Sequence, residues 1–139
     1  MTILPPRHPL AKSADDLPIA ALHGERVMTN GPLYLSSLQF MTACTLEGIE
    51  TDVVFESPIG QVLSAYVDAG MAIAVCGDRT DVRGFDLPRR RLVDASGSPL
   101  AFDLSICWTE QAGTSEPMLA FAHALAAFRP SFPALSAVA

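Results

Sequence analysis

Residues 48–78 read GIETDVVFESPIGQVLSAYVDAGMAIAVCGD, and no other stretch limits the fold as tightly. Val53, Val54 and Phe55 are β-branched or aromatic and suit a pleated, buried strand. Ser57 offers a side-chain oxygen to cap a helix, and Pro58 suits a first turn, where no backbone N–H is needed. Apolar residues then fall at 59, 62, 63, 66, 67 and 69. At helical period they form one face, with Gln61, Ser64 and Asp68 on the other. Gly70 stands where a helix ends in a left-handed residue. The uncharged run Met71-Ala-Ile-Ala-Val75 reads as a strand covered on both faces of a parallel sheet. Strand, helix and strand at this spacing make a βαβ unit, with a right-handed crossover.

The flanking sequence extends this pattern. Pro5, Pro6, Pro9 and Pro18 break up residues 1–24, leaving a short strand at 2–4 and one helical turn near 18–22. Residues 25–30 read as a strand, and Asn30-Gly31-Pro32 is turn chemistry with Pro32 placed for a helix start. The stretch 33–46 holds no charged residue. On a helical wheel its apolar side chains divide between two sides, Leu35, Phe40 and Leu46 against Leu38, Met41 and Cys44, so a helix here is covered on more than one side. Gly48 ends it. After the polar loop DRTDVRG, residues 85–93 suggest an edge strand weakened by Pro88, and 94–99 a turn. Phe102, Leu104, Ile106 and Trp108 alternate with Asp103, Ser105 and Cys107, a period-two strand. Ser115 or Thr114 caps a last helix of about 13 residues with Met118, Phe121, Leu125 and Phe128 on one face. Residues 129–139 form a loose tail. The order predicts an α/β fold, a central, mostly parallel sheet flanked by helices.

Composition narrows the function. A chain of 139 residues, half of them apolar with mean hydropathy +0.31, buries one core and is not a disordered chain. No apolar run reaches about 18 residues, so no membrane span is expected. The start, MTILPPRHPL, lacks the apolar core of a signal peptide. Three scattered cysteines (44, 76, 107) show no CxxC or Cys/His metal spacing, which points to reduced thiols in a cytoplasm. A net charge of −6 and a pI near 4.8 argue against a phosphate-backbone binder. The one basic cluster, Pro88-Arg-Arg-Arg91, reads as a solvated loop or edge strand.

The run HPLA at 8–11, the segment DLPIAAL with GERV after it, a helix closed by Gly48-Ile49, then VVFES and LSAYVDAGMAIAV together resemble the second half of the effector-binding domain of LysR-type transcriptional regulators. MLAFAHALAAF resembles that domain's closing helix. The resemblance implies a periplasmic-binding-protein-like type II lobe. A partial domain is then expected over 1–128, with the second lobe at about 3–101 and a strand and helix returning to the first lobe at about 102–128. Cys76-Gly77 departs from the family, where a Leu-Pro pair is common. No winged helix-turn-helix, linker helix or first part of lobe one can be read here, so DNA binding does not carry over to these residues.

In open α/β sheets, ligands bind beyond the carboxyl ends of the strands. Such ends fall at Thr29-Asn30-Gly31, Phe55-Glu56-Ser57 and Cys76-Gly77-Asp78. Two of them lead into proline-started helices whose free N–H groups and positive dipole end suit a small anion. The candidate effector-binding residues are therefore Thr29, Asn30, Gly31, Ser57, Cys76 and Gly77, for a small-molecule effector such as a carboxylate. Their competing roles are structural: Ser57 as a helix cap, Asn30 as a turn residue. Glu56 would repel an anion unless paired with Arg79 or Arg83. His8, His23 and His123 have no neighbours in sequence that would orient a base, and no GxSxG elbow or Gly-rich phosphate loop exists. No catalytic residue, metal site or cofactor is expected, and the chain reads as no enzyme. The expectation is the effector-sensing and oligomerisation part of a cytoplasmic LysR-type regulator, a homodimer paired through the second face of the 33–46 helix. The alternative is a stand-alone small-solute-binding module of similar fold, against which the missing signal peptide speaks.

Overall fold

The computed structural model describes residues 1–102, 109 and 115–128. Strands β1 (Thr2–Ile3), β2 (Leu17–Pro18) and β3 (Arg26–Thr29) precede helix α1 (Leu35–Glu47); β4 (Asp52–Glu56), α2 (Gly60–Asp68) and β5 (Ile73–Val75) form the βαβ unit. Short strands β6 (Arg89–Arg90) and β7 (Leu92–Val93) follow, then helix α3 (Glu116–Ala127). Two 3₁₀ turns, Pro9–Lys12 and Ile19–Leu22, interrupt the proline-rich start. Residues up to Leu100 form one compact unit, and the chain from Ala101 enters another.

The main sheet has the order β4-β3-β5-β1-β6. β3 runs parallel to both β4 and β5, while β1 is antiparallel to β5 and β6. Four strands thus point one way and β1 opposes them, which makes the sheet mixed. β2 and β7 form a separate parallel pair. Alternation along the strands explains the uncharged runs. Leu4, Val27, Ile73 and Val75 enter one core with Phe40 and Cys44 of α1. Ile3, Met28, Ala74 and Cys76 enter the other with Leu63 and Val67 of α2. Both faces are covered, so period-two patterning disappears into continuous apolar sequence. Phe55 of β4 also stacks on Tyr66 of α2, with ring centroids 4.8 Å apart.

Several local expectations are corrected. Pro32 does not start α1. It occupies the second position of a turn closed by Tyr34 N–H donating to Gly31 O at 3.1 Å, where its fixed φ fits, and α1 begins at Leu35. Ser57 is not the cap residue of α2; its Oγ accepts from Ile59 N–H at 3.2 Å in a hydroxyl-closed turn, and Gly60 opens the helix. Gly48 (φ 66°) and Gly70 (φ 75°) do end their helices in the left-handed region. The division of α1 also changes: Ser37, Phe40 and Cys44 face the core, whereas Leu35, Leu38, Met41 and Leu46 are all exposed.

The edge strand expected over 85–93 splits into β6 and β7, which join different sheets. Pro88 has no N–H to donate, and only its carbonyl is used, accepting from Leu4 N–H at 2.9 Å. Within the basic cluster Arg89 and Arg91 are exposed, but Arg90 is buried. Its guanidinium donates to the carbonyls of Asp15, Leu10 and Asp16 at 2.5, 2.8 and 3.0 Å. The planar fork replaces the solvation that a lone cation would lose on burial.

In the second unit, α3 has Ser115 at its cap position, without a side-chain cap bond, and Pro117 in its first turn. Met118, Phe121, Leu125 and Phe128 are exposed. The alternating stretch 103–108 and the tail 129–139 lie outside the described residues.

Candidate functional site

The three strand ends converge because β3 lies between β4 and β5 and all three run the same way. Ser57 N–H donates to Thr29 O at 3.0 Å, extending the β3–β4 ladder beyond the strands. Thr29 Oγ1 accepts from Gly31 N–H at 3.1 Å and donates to Glu56 Oε1 at 3.4 Å. That bond turns the Glu56 carboxylate toward β3, while Arg83 pairs with Asp81 at 2.9 Å. The Arg83 side chain holds the exposed Asp81 carboxyl down at about 2.

Asn30 joins all three ends. Its Nδ2 donates to Ser57 O at 3.4 Å, and its Oδ1 accepts from Thr80 Oγ1 at 3.5 Å. Thr80 belongs to the turn after β5, where its N–H donates to Gly77 O at 3.1 Å. Cys76 N–H donates to Met1 O at 3.0 Å, tying β1 to the same rim. Burial pushes the Cys76 thiol up, and the Thr80 side chain opposes part of that rise. The thiol is a packed, protonated group rather than a nucleophile.

Thr29, Asn30, Gly31, Ser57 and Cys76 are all buried, and Gly77 is half-buried. The five buried residues form the floor of the strand ends. The half-buried residues above that floor are Ser36 in the first turn of α1, Gly77 and Thr80. A methyl group on Gly77 would lie 3.8 Å from Thr80 Oγ1 and 4.0 Å from Ser36 Oγ, so these three residues meet. Sequence reading missed Ser36 and Thr80. Ser36 was hidden by the helix starting at Leu35 rather than beside Pro32, and Thr80 by sitting in a loop with no periodicity.

The amino end of α1 carries no side-chain cap and no acidic residue in its first turn. Its first N–H groups therefore keep their capacity for an anion. Ser37, in the same turn, has a buried Oγ without a hydrogen-bond partner. Among the described residues no cluster of His, Cys, Asp and Glu could hold a metal ion, and no helix is long and apolar enough to cross a membrane.

The family described as LysR substrate binding domain matches residues 1–129. Among solved structures, the C-terminal domain of a probable LysR family transcriptional regulator from Rhodococcus sp. RHA1 is similar at 20% identity and TM-score 0.66, over 91% of this chain and 62% of that one. A putative LysR family regulator from Pseudomonas aeruginosa (18%, TM-score 0.59) and HinK, a LysR family regulator from the same organism (18%, TM-score 0.65), each align over 88% of this chain and 42% of theirs. The chain thus spans less than two thirds of these neighbours, and the likeness at such identity speaks for the fold. No curated protein matches.

Proposed function

This chain belongs to the LysR substrate-binding domain family, and from that premise we propose that it is the small-molecule-sensing part of a cytoplasmic transcription regulator, with its effector at the converging ends of β3, β4 and β5. Thr29, Asn30, Gly31, Ser57, Cys76 and Gly77 build the site, and Ser36 and Thr80 line it. One observation carries the reading: three parallel strand ends meet the uncapped, acid-free first turn of α1. Free N–H groups and hydroxyls in that arrangement favour a carboxylate or a similar small anion. The family is regulatory, and the proposed site binds rather than catalyses. The family match favours a regulator's sensing domain over a stand-alone solute-binding module. We place the second lobe at about 3–101 and the return to the first at about 102–128.

Two partner statements belong to this proposal. The net charge of −6 supports no DNA binding by these residues themselves. The exposed apolar face of α1, with Leu35, Leu38, Met41 and Leu46, supports a homodimer. An edge-to-edge pairing of β4 is disfavoured, because antiparallel register about Val54 would set Asp52 against Glu56 of the other copy. The helix face is the better interface.

A thermal-shift screen of small carboxylates tests the site. Ser36→Asp places a negative charge in the first turn, where it favours the helix but repels an anion. We expect it to fold, to abolish the shift given by a wild-type ligand, and to do so more completely than Ser57→Ala. Duplex DNA in the same assay is expected to give no shift. A carboxylate that binds Ser36→Asp and wild type equally would rule out the α1 end as its seat.

A further inference from the structure

The carboxamide of Asn30 has little left to offer a ligand. Asn30 is 4% exposed, and both ends of its amide are engaged. One end holds the carbonyl of Ser57, past β4; the other receives the hydroxyl of Thr80, past β5. Thr80 in turn sets its methyl against Gly60, the first residue of α2. A methyl group at Gly60 would run into both Thr80 Cγ2 and the Asp81 carbonyl. The chain of contacts therefore runs from β4, through Asn30 at the end of β3, to the 77–81 loop and on to the start of α2.

We propose that Asn30 is a positioning residue of this cleft, a brace that fixes the three strand-end loops against one another through Ser57 and Thr80, and that it does not itself hold the effector. This rests on reading the strand ends as the effector site. Both bonds of the brace, at 3.4 and 3.5 Å, are longer than an ordinary hydrogen bond of about 2.5–3.2 Å and correspondingly weak. A ligand seated against Thr80 and Gly77 has room to tighten them, so occupancy at one loop is passed to the other two. The coupling runs through a shared polar network whose two long bonds a ligand would shorten together.

The experiment is amide hydrogen exchange on the full chain, comparing wild type with Asn30→Ala, Thr80→Val, the double variant and Thr80→Ser. Asn30→Ala should speed exchange at the amides of Ser57 and Thr80 by about twofold, the loss expected when a hydrogen bond at the weak end of the usual range disappears. Thr80→Val should do the same at Ser57, which it does not touch. The double variant should be no worse than either single one, and Thr80→Ser, which keeps the hydroxyl, should behave as wild type. The amide of Leu17, bonded to Arg91 O in the other sheet, serves as an unaffected reference. Changes confined to residues next to each substitution, or additive effects in the double variant, would overturn the brace. Titration with acetate separates the two readings. No acetate-dependent shift in wild type would count against a carboxylate cleft while the exchange coupling stands. Acetate shifts at Ser36 and Thr80 that survive Asn30→Ala with weaker affinity are expected of a brace. Their undiminished persistence would overturn it.

Discussion

Arg90 shows how one side chain fixes a long irregular segment. The loop from Leu10 to Asp16 has little regular structure, yet three of its carbonyls are gathered on one buried guanidinium. Arg90→Lys keeps the charge but loses the planar fork, leaving carbonyls unpaired. We expect a loss of about 1–3 kcal/mol, read as a lower urea midpoint, with earlier proteolytic cleavage between residues 10 and 16. Cys76 gives a pH prediction at the same scale. Burial raises its thiol above the ordinary value of 9.0, so the unfolded chain releases the proton first. Its contribution to stability is complete below pH 9.0 and falls away as pH rises from there through the folded value. Cys76→Ser, whose hydroxyl does not titrate in this range, should flatten that alkaline decline when melting temperature is followed from pH 7 to 10. An equal decline in both proteins would remove Cys76 as a cause.

At the scale of elements, the entry to α2 is closely packed, and Gly60 there has the least space of the described glycines. Gly60 is required by close approach rather than by a left-handed backbone, since its added methyl would meet the Asp81 carbonyl. Gly60→Ala therefore forces the 80–81 loop outward. We expect a loss of about 1–3 kcal/mol in denaturant unfolding despite alanine's better helix propensity, whereas Gln61→Ala next to it should change little. Much of the element order was legible from residues. β4, α2 and the helix-ending glycines at 48 and 70 act locally and form where expected. Their burial differs: β4 is an edge strand with Val53 36% exposed, and Ser64, expected on the polar face of α2, is fully buried. What was hidden depends on partners distant in sequence. Pro32 and Pro58 satisfy a helix start and a turn equally well on local grounds, and only the hydrogen bonds of Tyr34 and Ile59 decide for the turns. Arg90 looked like its exposed neighbours because its three acceptors lie in another loop. Of the site, the strand ends followed from topology alone, but the residues above their floor depended on where α1 begins and how the 77–81 loop folds back.

For the whole molecule, the question is what covers α1. Leu35 is 55% exposed, Leu38 57% and Leu46 81%, while Phe40 is 1% exposed on the opposite side. An uncharged helix face of this kind seldom stays in water. Leu38→Glu is expected to stay folded, to lose the concentration dependence of its melting temperature, and to convert dimers into monomers in sedimentation at about tens of micromolar. Phe40→Glu should instead unfold the chain. A wild-type protein that sediments as a monomer under these conditions would remove the dimer from the proposal.

The reversed strand β1, one place in from the sheet edge, has a consequence in time. Thr2 pairs on one side with Val75 and on the other with Arg90. β1 thus has no sheet neighbour until residues 73–75 have been made, and only one until 89–90 follow. Loops of that length are slow to close, and β3, α1, β4 and α2 all come between. During synthesis this segment must remain unpaired while the rest of its sheet is built, and its place stays vacant between two strands that do not yet hold each other.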